Sequence, residues 1–417
     1  MSARTASART DTGSILKQPR AVWAVAFACV VGFMGIGLVD PILPSIAEDL
    51  EATPTETELL FTSYLLVTGI MMFFTSWVSS RIGARRTLLI GLTLIVAFAA
   101  AAGLSGSVDG IIGFRAGWGL GNALFVSTAL ATIVGAAAGG SGPAIILYEA
   151  ALGVGLAIGP LLGGLLGNIS WRGPFFGTAA LMAIALVAIT VMLPKDADAA
   201  QRPAPAKLSA PFRALRIPAL AVLALVALFY NIGFFILLAY TPFPLGFDAI
   251  GLGLTFTAWG LSLAVTSVWV APLLTARMRR TTVLATALPL LAVDLVLAGV
   301  FVESPAALVG FVVIGGLLLG VVNTVLTEAV MEATELPRGV ASSSYSGVRF
   351  LGAAAAPPLA TELASIGSSG LPYYVGGLSV AIAIVLVLAF RGKLSRVDDG
   401  PEPAAVEAEA IGIGDAA

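Results

Sequence analysis

Six ionisable side chains lie inside long apolar segments of the chain: Asp40, Arg115, Glu149, Asp294, Glu328 and Arg349. A charge within a membrane segment costs at least about 2.5–3.5 kcal/mol, so such groups normally face a cavity or pair with an opposite charge. A carboxyl group in low dielectric can also take up and release a proton near neutral pH. The sequence therefore predicts proton transfer and ion pairing. A metal centre is not expected, because the chain has no His and its single cysteine, Cys29, lies in the first apolar segment.

The apolar segments themselves predict membrane helices. Of 417 residues, 58% are hydrophobic and only 11% are charged, and the mean hydropathy is +0.99. Runs such as 87–103 and 371–390 approach the ~20 residues that cross ~30 Å of hydrocarbon. These runs and the loop residues between them predict an all-α membrane protein with twelve spans, at 22–44, 57–79, 87–104, 110–133, 143–166, 173–193, 218–240, 250–274, 283–301, 306–328, 340–362 and 371–390.

A polar stretch rich in Pro and Ala divides the spans into two groups of six. The predicted organisation is an N-terminal tail at 1–20, a six-helix bundle at 21–193, a linker at 194–217, a second six-helix bundle at 218–391 and a C-terminal tail at 392–417. Most of the 22 Lys and Arg residues fall in the tails, the linker and the loops on the same side. The positive-inside rule then predicts that both termini are cytoplasmic, in a plasma or inner membrane.

The two halves also carry matching residues. Gly113 and Tyr148 recur at a common offset as Gly310 and Tyr345. Such matches are typical of two parallel six-helix halves, one of the known plans of membrane transport proteins. Chance matching within apolar sequence of low complexity is the alternative.

Arginines cluster at the predicted turn between spans two and three, where Arg81, Arg85 and Arg86 surround Gly83. Guanidinium groups at a tight turn can bind the C-termini of neighbouring helices and anionic lipid headgroups. The alternative is that this cluster only fixes the topology.

Glycines recur at every fourth position of span five, at Gly155, Gly159 and Gly163, with Pro160 inside the series and Gly164 after it. This spacing puts the glycines on one helix face, where small residues let a neighbouring helix approach closely. Pro160 loosens the backbone ladder at that level. Generic helix packing is the alternative to a functional role.

Two charge pairs follow from the positions of the ionisable residues. Asp40, near the outer end of span one, and Arg115, near the outer end of span four, have similar predicted depths and are expected to pair. Glu328 and Arg349, toward the inner ends of spans ten and eleven, are a second candidate pair. The alternatives are an Asp40 that only caps its span and an Arg115 that extends to the interface.

Together these segments resemble the signature motifs of the major facilitator superfamily, and in particular its twelve-helix drug/proton antiporters. Residues 76–86 resemble G-x-L-x-D-R-x-G-R-R, with Ser76 and Ser80 in the places of Gly and Asp. Residues 115–121 resemble R-x-x-Q-G-x-G, with Trp118 in the place of Gln. Residues 155–164 match the antiporter motif G-x-x-x-G-P-x-x-G-G in full, and 35–44 around Asp40 resemble the matching segment of the antiporters.

The resemblance implies antiport in which substrate leaves as protons enter. The carboxyl groups that would carry the proton are Asp40, then Glu149, with Asp294 in reserve. The resemblance also implies that spans one, four, seven and ten line a cavity, with contact residues Phe33, Trp118, Asn122, Tyr230, Asn231, Phe234 and Asn323.

We therefore predict a secondary active transporter that exports small hydrophobic or amphipathic compounds in exchange for protons by alternating access. Its expected partners are a small-molecule substrate, protons and the lipid bilayer, and we expect a monomer without a cofactor. Nucleic acid is not expected, since the chain has no Lys- and Arg-rich block. Proton-coupled uptake of a solute is the main alternative. A membrane-embedded enzyme is a weaker one, because the spans lack a metal or nucleophile set, and the sequence has no P-loop for ATP.

Overall fold

The computed structural model describes residues 18–39, 42–137, 141–194 and 205–398, and these ranges are helical without a strand. Their long helices, numbered in chain order, are α1 (Arg20–Gly37), α2 (Pro54–Ile82), α3 (Ala84–Leu104), α4 (Val108–Ala136), α5 (Ser141–Gly167), α6 (Gly173–Met192), α7 (Pro218–Tyr240), α8 (Ala249–Val265, continued by the π-helical Thr266–Val270 and by Ala271–Thr275), α9 (Arg280–Val300), α10 (Pro305–Glu332), α11 (Arg338–Ile366) and α12 (Leu371–Ala389). Short helical segments lie at Leu43–Asp49, Ala210–Ala214, Pro242–Leu245, Arg391–Lys393 and Ser395–Asp398.

Within the described ranges, 11 of these helices are long and apolar enough to cross a membrane. The exception is α11, which has 29 residues but carries Arg349 and the run Ser342-Ser343-Ser344. The three serines are buried, because α11 packs between α2 and α7 and directs its polar face into the protein. Polar residues of membrane helices normally face the bundle interior in this way. The predicted all-α membrane fold is confirmed, and the chain is a multi-pass membrane protein.

The largest departure from the predicted spans is at the end of α1. The first span was expected to reach 44, but α1 ends at Gly37 and a separate helix begins at Leu43. Pro41 and Pro44 in this stretch lack the N–H group that a continuing helix needs. Asp40 lies outside the described residues, so its predicted depth and its pairing with Arg115 stay predictions.

Local sequence signals set both ends of α2. The Thr53 N–H donates to Glu56 Oε2 (2.7 Å) and the Glu56 N–H donates to Thr53 Oγ1 (3.3 Å), which together form a capping box. The backbone and the hydroxyl of Thr53 hold the pKa of Glu56 below its usual value. At the other end, Gly83 has φ of 96°, a conformation that glycine adopts at little cost. It allows α3 to begin directly after α2.

The helices form two related halves. In the first, α1 packs against α5 and α6, while α4 packs against α2 and α3. The second repeats this arrangement, with α7 against α11 and α12 and α10 against α8 and α9. The halves meet along two seams, α2 with α11 and α5 with α8. The two seams are equivalent, because α2 corresponds to α8 and α5 corresponds to α11 in the repeat. The predicted plan of two pseudo-symmetric six-helix bundles is therefore confirmed.

The two ends of the molecule are distinguished by their loops. At the linker end, the Ala206 N–H donates to Ser80 Oγ (2.9 Å) beside the α2–α3 turn, and Arg280 Nη1 donates to the Val397 carbonyl (2.9 Å) near the last described residues. The far end carries Leu43–Asp49 between α1 and α2, and Pro242–Leu245 after α7.

Candidate functional site

The glycine series of α5 packs directly on the backbone of α1. A Cβ atom built on Gly159 would lie 2.6 Å from the Met34 carbonyl oxygen, and Cβ atoms on Gly155 and Gly163 would collide with the carbonyls of Val30 and Leu38. Successive turns of α5 therefore lie against successive turns of α1 without side chains between them. This is the close helix approach that the spacing of the glycines predicted.

The opposite face of α5 packs as closely on α8, which belongs to the other half. A Cβ atom on Gly260 would lie 2.5 Å from the Ala157 Cα, and Thr257 Oγ1 donates to the Ala157 carbonyl (2.8 Å). Pro160 lies between the two neighbours, since Gly37 of α1 and Gly253 of α8 both approach it. Helix α5 thus joins its own half to the other one.

Six residues before the first glycine of this motif, Glu149 of α5 is completely buried. Thr327 Oγ1 of α10 donates to Glu149 Oε1 (2.9 Å). Arg349 of α11 interacts electrostatically with Glu149, and Glu149 Oε2 has no hydrogen-bond partner in the part of the chain that the structure describes. A carboxyl group of one half therefore accepts a hydrogen bond from a hydroxyl group of the other half and lies in the electrostatic field of that half's Arg349.

Several hydroxyl and amide groups surround this cluster. Tyr230 OH donates to Asn323 Oδ1, and Arg349 also interacts electrostatically with Tyr148, Tyr230 and Tyr345. The groups come from α5, α7, α10 and α11, so they span both halves. The hydrogen bonds and electrostatic interactions of this cluster depend on the charge of Glu149, because loss of that charge would change the interactions of each polar neighbour.

A small central cavity of about 20 Å³ adjoins Arg349, enough room for roughly one water molecule. Of the predicted contact residues, Phe33, Asn231 and Phe234 line this cavity. Phe33 meets Tyr148 edge to face, with ring centroids 5.5 Å apart. Tyr230 and Asn323 lie beside it in the polar cluster. These predicted residues therefore come together near the centre of the molecule.

Trp118 and Asn122 do not join them. Trp118 is fully buried inside the first half, where its ring packs against Tyr64 and Phe175 with centroids 5.8 Å and 6.5 Å away. Asn122 is fully buried on the same helix, and among the described residues neither cavity is lined by either side chain. Trp118 and Asn122 were predicted to contact the cavity, but Trp118 packs against neighbouring helices and neither residue lines a described cavity.

Arg115 and Asp294 lie away from the central cluster. Arg115 is fully buried under α2, with Nε donating to the Leu60 carbonyl (3.0 Å) and the guanidinium 4.6 Å from the ring centroid of Tyr64. Asp294 is 4% exposed, and its carboxylate has no hydrogen-bond partner among the described residues. A Cβ atom built on Gly315 of α10 would lie 3.2 Å from Asp294 Oδ2.

The predicted pair of Glu328 and Arg349 does not form. Glu328 Oε2 instead lies 3.3 Å from Arg280 Nε at the start of α9, whereas Arg349 faces Glu149. Sequence spacing put Glu328 and Arg349 at similar depths on consecutive helices. Packing decides otherwise, because α11 turns Arg349 toward the first half and α10 turns Glu328 toward α9.

The arginine cluster after α2 binds a helix end, as the sequence predicted. Arg85 Nε donates to the Leu193 carbonyl (3.0 Å) and Arg85 Nη2 to the Thr190 carbonyl (2.6 Å), both at the C-terminus of α6. The guanidinium of Arg81 lies over the Trp77 ring at 4.5 Å. Ser80, in the position of the family's Asp, accepts from the linker instead. The turn therefore fastens the linker end of the first half.

At the linker end the two halves make further contacts. Arg338 Nη1, at the start of α11, donates to the Val134 carbonyl (3.0 Å) near the end of α4. The short helix Ala210–Ala214 of the linker bridges the same region. Its Pro211 carbonyl accepts from Ser344 Oγ of α11 (3.1 Å), and its Phe212 ring stacks on Phe73 of α2 with centroids 5.2 Å apart. The linker end is therefore closed.

At the far end a cavity of about 440 Å³ lies between the halves. Its walls include Leu43, Phe61, Tyr240, Phe243, Phe247 and Pro357. The volume lies in the usual range of drug-sized ligand sites, about 300–1,000 Å³. Closure at one end and a cavity at the other are the geometry of one state of an alternating-access cycle.

Sequence reasoning missed Thr327 and did not assign a role to Tyr345. Thr327 is one turn beyond Asn323 on α10 and shares its face, so helical periodicity could have included it. Tyr345 is the repeat partner of Tyr148, and both lie beside Arg349. The repeat therefore pointed to the polar cluster without identifying what the cluster contains.

Comparison with known proteins agrees with this architecture. The Multidrug efflux protein YfmO of Bacillus subtilis (strain 168) is 51% identical over 400 residues, which cover 95% of this chain and 99% of that protein. The Tetracenomycin C resistance and export protein of Streptomyces glaucescens is 34% identical over 187 residues, or 43% of this chain and 35% of that protein.

The fold is also that of solved structures. The human organic anion transporter MFSD10 (TETRAN) superposes with a TM-score of 0.73 at 19% identity, covering 88% of this chain and 99% of that one. The sequence pattern of the Major Facilitator Superfamily matches residues 25–336. With twelve long helices in two related halves of its described part, and this match over most of its length, the chain belongs to the Major Facilitator Superfamily.

Proposed function

We propose that this protein exports small hydrophobic or amphipathic compounds in exchange for protons, by alternating access between its two halves. Membership of the family supports transport, and the Bacillus subtilis relative at 51% identity is named for multidrug efflux. The observation that carries the proton coupling is the position of Glu149, because its partners Thr327 and Arg349 belong to the other half.

The proposal takes the linker end as cytoplasmic, on the strength of its Lys and Arg residues, in the plasma or inner membrane. The cavity at the far end then opens outward, and the central cavity has a volume of about 20 Å³. An inward-facing state has to separate Arg338 from Val134 and Glu149 from Thr327, because both contacts cross between the halves near the linker end.

The charge of Glu149 governs how firmly the linker end is closed. A charged Glu149 attracts Arg349 and accepts the Thr327 hydroxyl, which together stabilise the closed end. A hydrogen bond to a charged group contributes about 1.5–3 kcal/mol, which corresponds to roughly a 10- to 150-fold change in the ratio of two states. Protonation of Glu149 removes the attraction to Arg349 and so favours separation of the halves at this end.

This dependence gives antiport the correct order of events. Substrate leaves from the outward-facing state, and a proton from outside then reaches Glu149. The protonated protein opens at the linker end, where the proton leaves and a new substrate enters. Release of the proton restores the charge of Glu149, and the charged form closes the linker end again. The bound substrate is then carried to the outward-facing state, so proton release and substrate export are coupled.

Two further carboxyl groups stay as candidates for the proton. Asp40, expected to pair with Arg115, is the group that the sequence favoured most, and Asp294 is the reserve. Glu149 differs from Asp294 in that its partners lie across the interface between the halves, so its protonation acts directly on the conformational equilibrium. We expect Asp40→Asn or Asp294→Asn to retain uphill transport if Glu149 is the carrier.

Dye accumulation in bacterial cells that lack their own pumps tests the function. Cells that express the protein should accumulate less ethidium than cells without it, and a proton-gradient uncoupler should abolish the difference. Higher accumulation in expressing cells, also sensitive to the uncoupler, would support uptake instead. Equal accumulation of ethidium and of a panel of other aromatic dyes in both cell types would overturn multidrug efflux.

A further inference from the structure

The cavity of about 440 Å³ at the far end plays no part in the proton switch, yet it is large enough to hold a ligand. We propose that it is a second substrate site, which binds apolar compounds with fused or linked aromatic rings after they leave the central cavity. This inference rests on the proposed function for its place in transport. The binding itself can be tested without transport.

Aromatic side chains make up much of the cavity wall. Phe61 comes from the first half, and Tyr240, Phe243 and Phe247 come from the end of α7 and the segment after it. Phe243 and Phe247 are 58% and 38% exposed, so their rings are accessible. Tyr240 and Phe243 have centroids 6.2 Å apart, a separation at which rings interact. An aromatic ligand therefore gains ring contacts in addition to the burial of its apolar surface.

The described hydroxyl groups of the wall are already engaged. Thr57 Oγ1 donates to the Thr53 carbonyl (2.9 Å), and Tyr240 OH donates to the Ser369 carbonyl (3.1 Å). These donors are therefore not offered to a ligand. Contact with rings and aliphatic groups is what the described wall provides.

The cavity continues the central site along α7. Asn231, Phe234 and Phe235 line the central cavity, and Ala239 and Tyr240, one turn further along the same helix, line the far-end cavity. Residues four apart lie on one helix face. A single face of α7 therefore passes from one cavity into the other.

The same continuity is present on α11. Arg349 and Ala353 line the central cavity, and Pro357 and Ala360 line the far-end cavity. Two helices thus guide a ligand from a centre that carries a guanidinium group to a wall rich in aromatic rings. The far-end cavity lies on the exit path and is not an isolated surface pocket.

The test is protection of a cysteine placed in the cavity wall. Ala239 lines the cavity and is partly exposed, whereas the native Cys29 is fully buried. Ala239→Cys protein in lipid nanodiscs would be labelled with a small maleimide, with and without N-phenyl-1-naphthylamine. At a probe concentration of ten times Kd we expect labelling to slow about tenfold, because only the free fraction reacts. A cycloaliphatic compound of equal size and hydrophobicity should slow it less than about twofold.

Matched variants separate ring recognition from general apolar binding. Ala239→Cys combined with Phe243→Leu and Phe247→Leu keeps an apolar wall but removes two rings, and should lose most of the protection by N-phenyl-1-naphthylamine. The control is Ala239→Cys with Phe301→Leu, because Phe301 is 47% exposed at the end of α9 and does not line the cavity. It should keep full protection.

Three results would overturn the site: no protection at any probe concentration, equal protection by the cycloaliphatic compound, or unchanged protection after loss of both rings. Normal uncoupler-sensitive export with no protection would reject this site alone. Protection without export by the wild-type protein would reject the proposed function alone.

Discussion

Adding one methyl group to the seam between α1 and α5 should destabilise the protein measurably. In Gly159→Ala the new Cβ would lie 2.6 Å from the Met34 carbonyl oxygen, whereas ordinary contacts begin near 3.4 Å. The helices would have to separate by about 0.8 Å, and overpacking of this kind costs about 1–3 kcal/mol. The contact is to backbone, so no side-chain rotation can relieve it. We expect the free energy of unfolding, measured by denaturant titration in mixed micelles, to fall by that amount.

Gly310→Ala is the matched control, because Gly310 lies inside α10 and a Cβ atom there would meet nothing within 4 Å. Alanine favours the helix over glycine, so this variant should be neutral or more stable by up to about 1 kcal/mol. The two substitutions differ only in what surrounds the new methyl group. If Gly159→Ala unfolded no more easily than Gly310→Ala, the α1–α5 seam could not be as tightly packed as the distances indicate.

Three further outcomes follow from single contacts. Arg338→Ala removes the hydrogen bond to the Val134 carbonyl. A bond of about 0.5–1.5 kcal/mol corresponds to an increase of roughly 2- to 12-fold in the population that is open at the linker end. Spin-label distances across that end report the change, and an unaltered distance distribution would contradict the prediction. Arg85→Ala removes the partly exposed cap on α6 and should lower the free energy of unfolding by about 1 kcal/mol, which denaturant titration detects. The pKa of Glu56 is lowered by Thr53, so Glu56 stabilises the first turn of α2 above its unfolded-state pKa, and this stabilisation is lost as the pH falls through the lower folded-state pKa. The protection of amides near Thr53, expressed relative to their intrinsic exchange rate at each pH, should fall over that acid range in the wild-type protein but not in Glu56→Gln.

Much of the fold could be predicted because membrane helices are long and apolar. Helix α11 was predicted at 340–362 and is observed at Arg338–Ile366, although Arg349 and three consecutive serines reduce its apolar character. The end of α1 shows the limit of that signal. The apolar run continues past Gly37, and only the prolines indicated that the helix does not.

The site could be predicted in part. Glycine spacing identified the face of α5 that a neighbouring helix approaches closely, since close approach depends on the small residue itself, whereas only the structure shows that this neighbour is α1. The partner of Glu328 could not be found in this way, because Arg280 lies on a different helix, distant in sequence, and only packing brings the two together. Trp118 was assigned to the cavity from its motif position, whereas the rotation of α4 decides which way its ring faces.

The most direct test of the account is uphill transport by Glu149→Gln in proteoliposomes with an imposed pH gradient. Glutamine keeps the size of the side chain and an oxygen that can accept the Thr327 hydroxyl, but it carries no charge and no exchangeable carboxyl proton. We predict that gradient-driven accumulation of substrate is lost while exchange of substrate across the membrane without a gradient continues, and that Glu328→Gln, whose side chain pairs with Arg280, retains both. Full gradient-driven accumulation by Glu149→Gln would contradict the central claim.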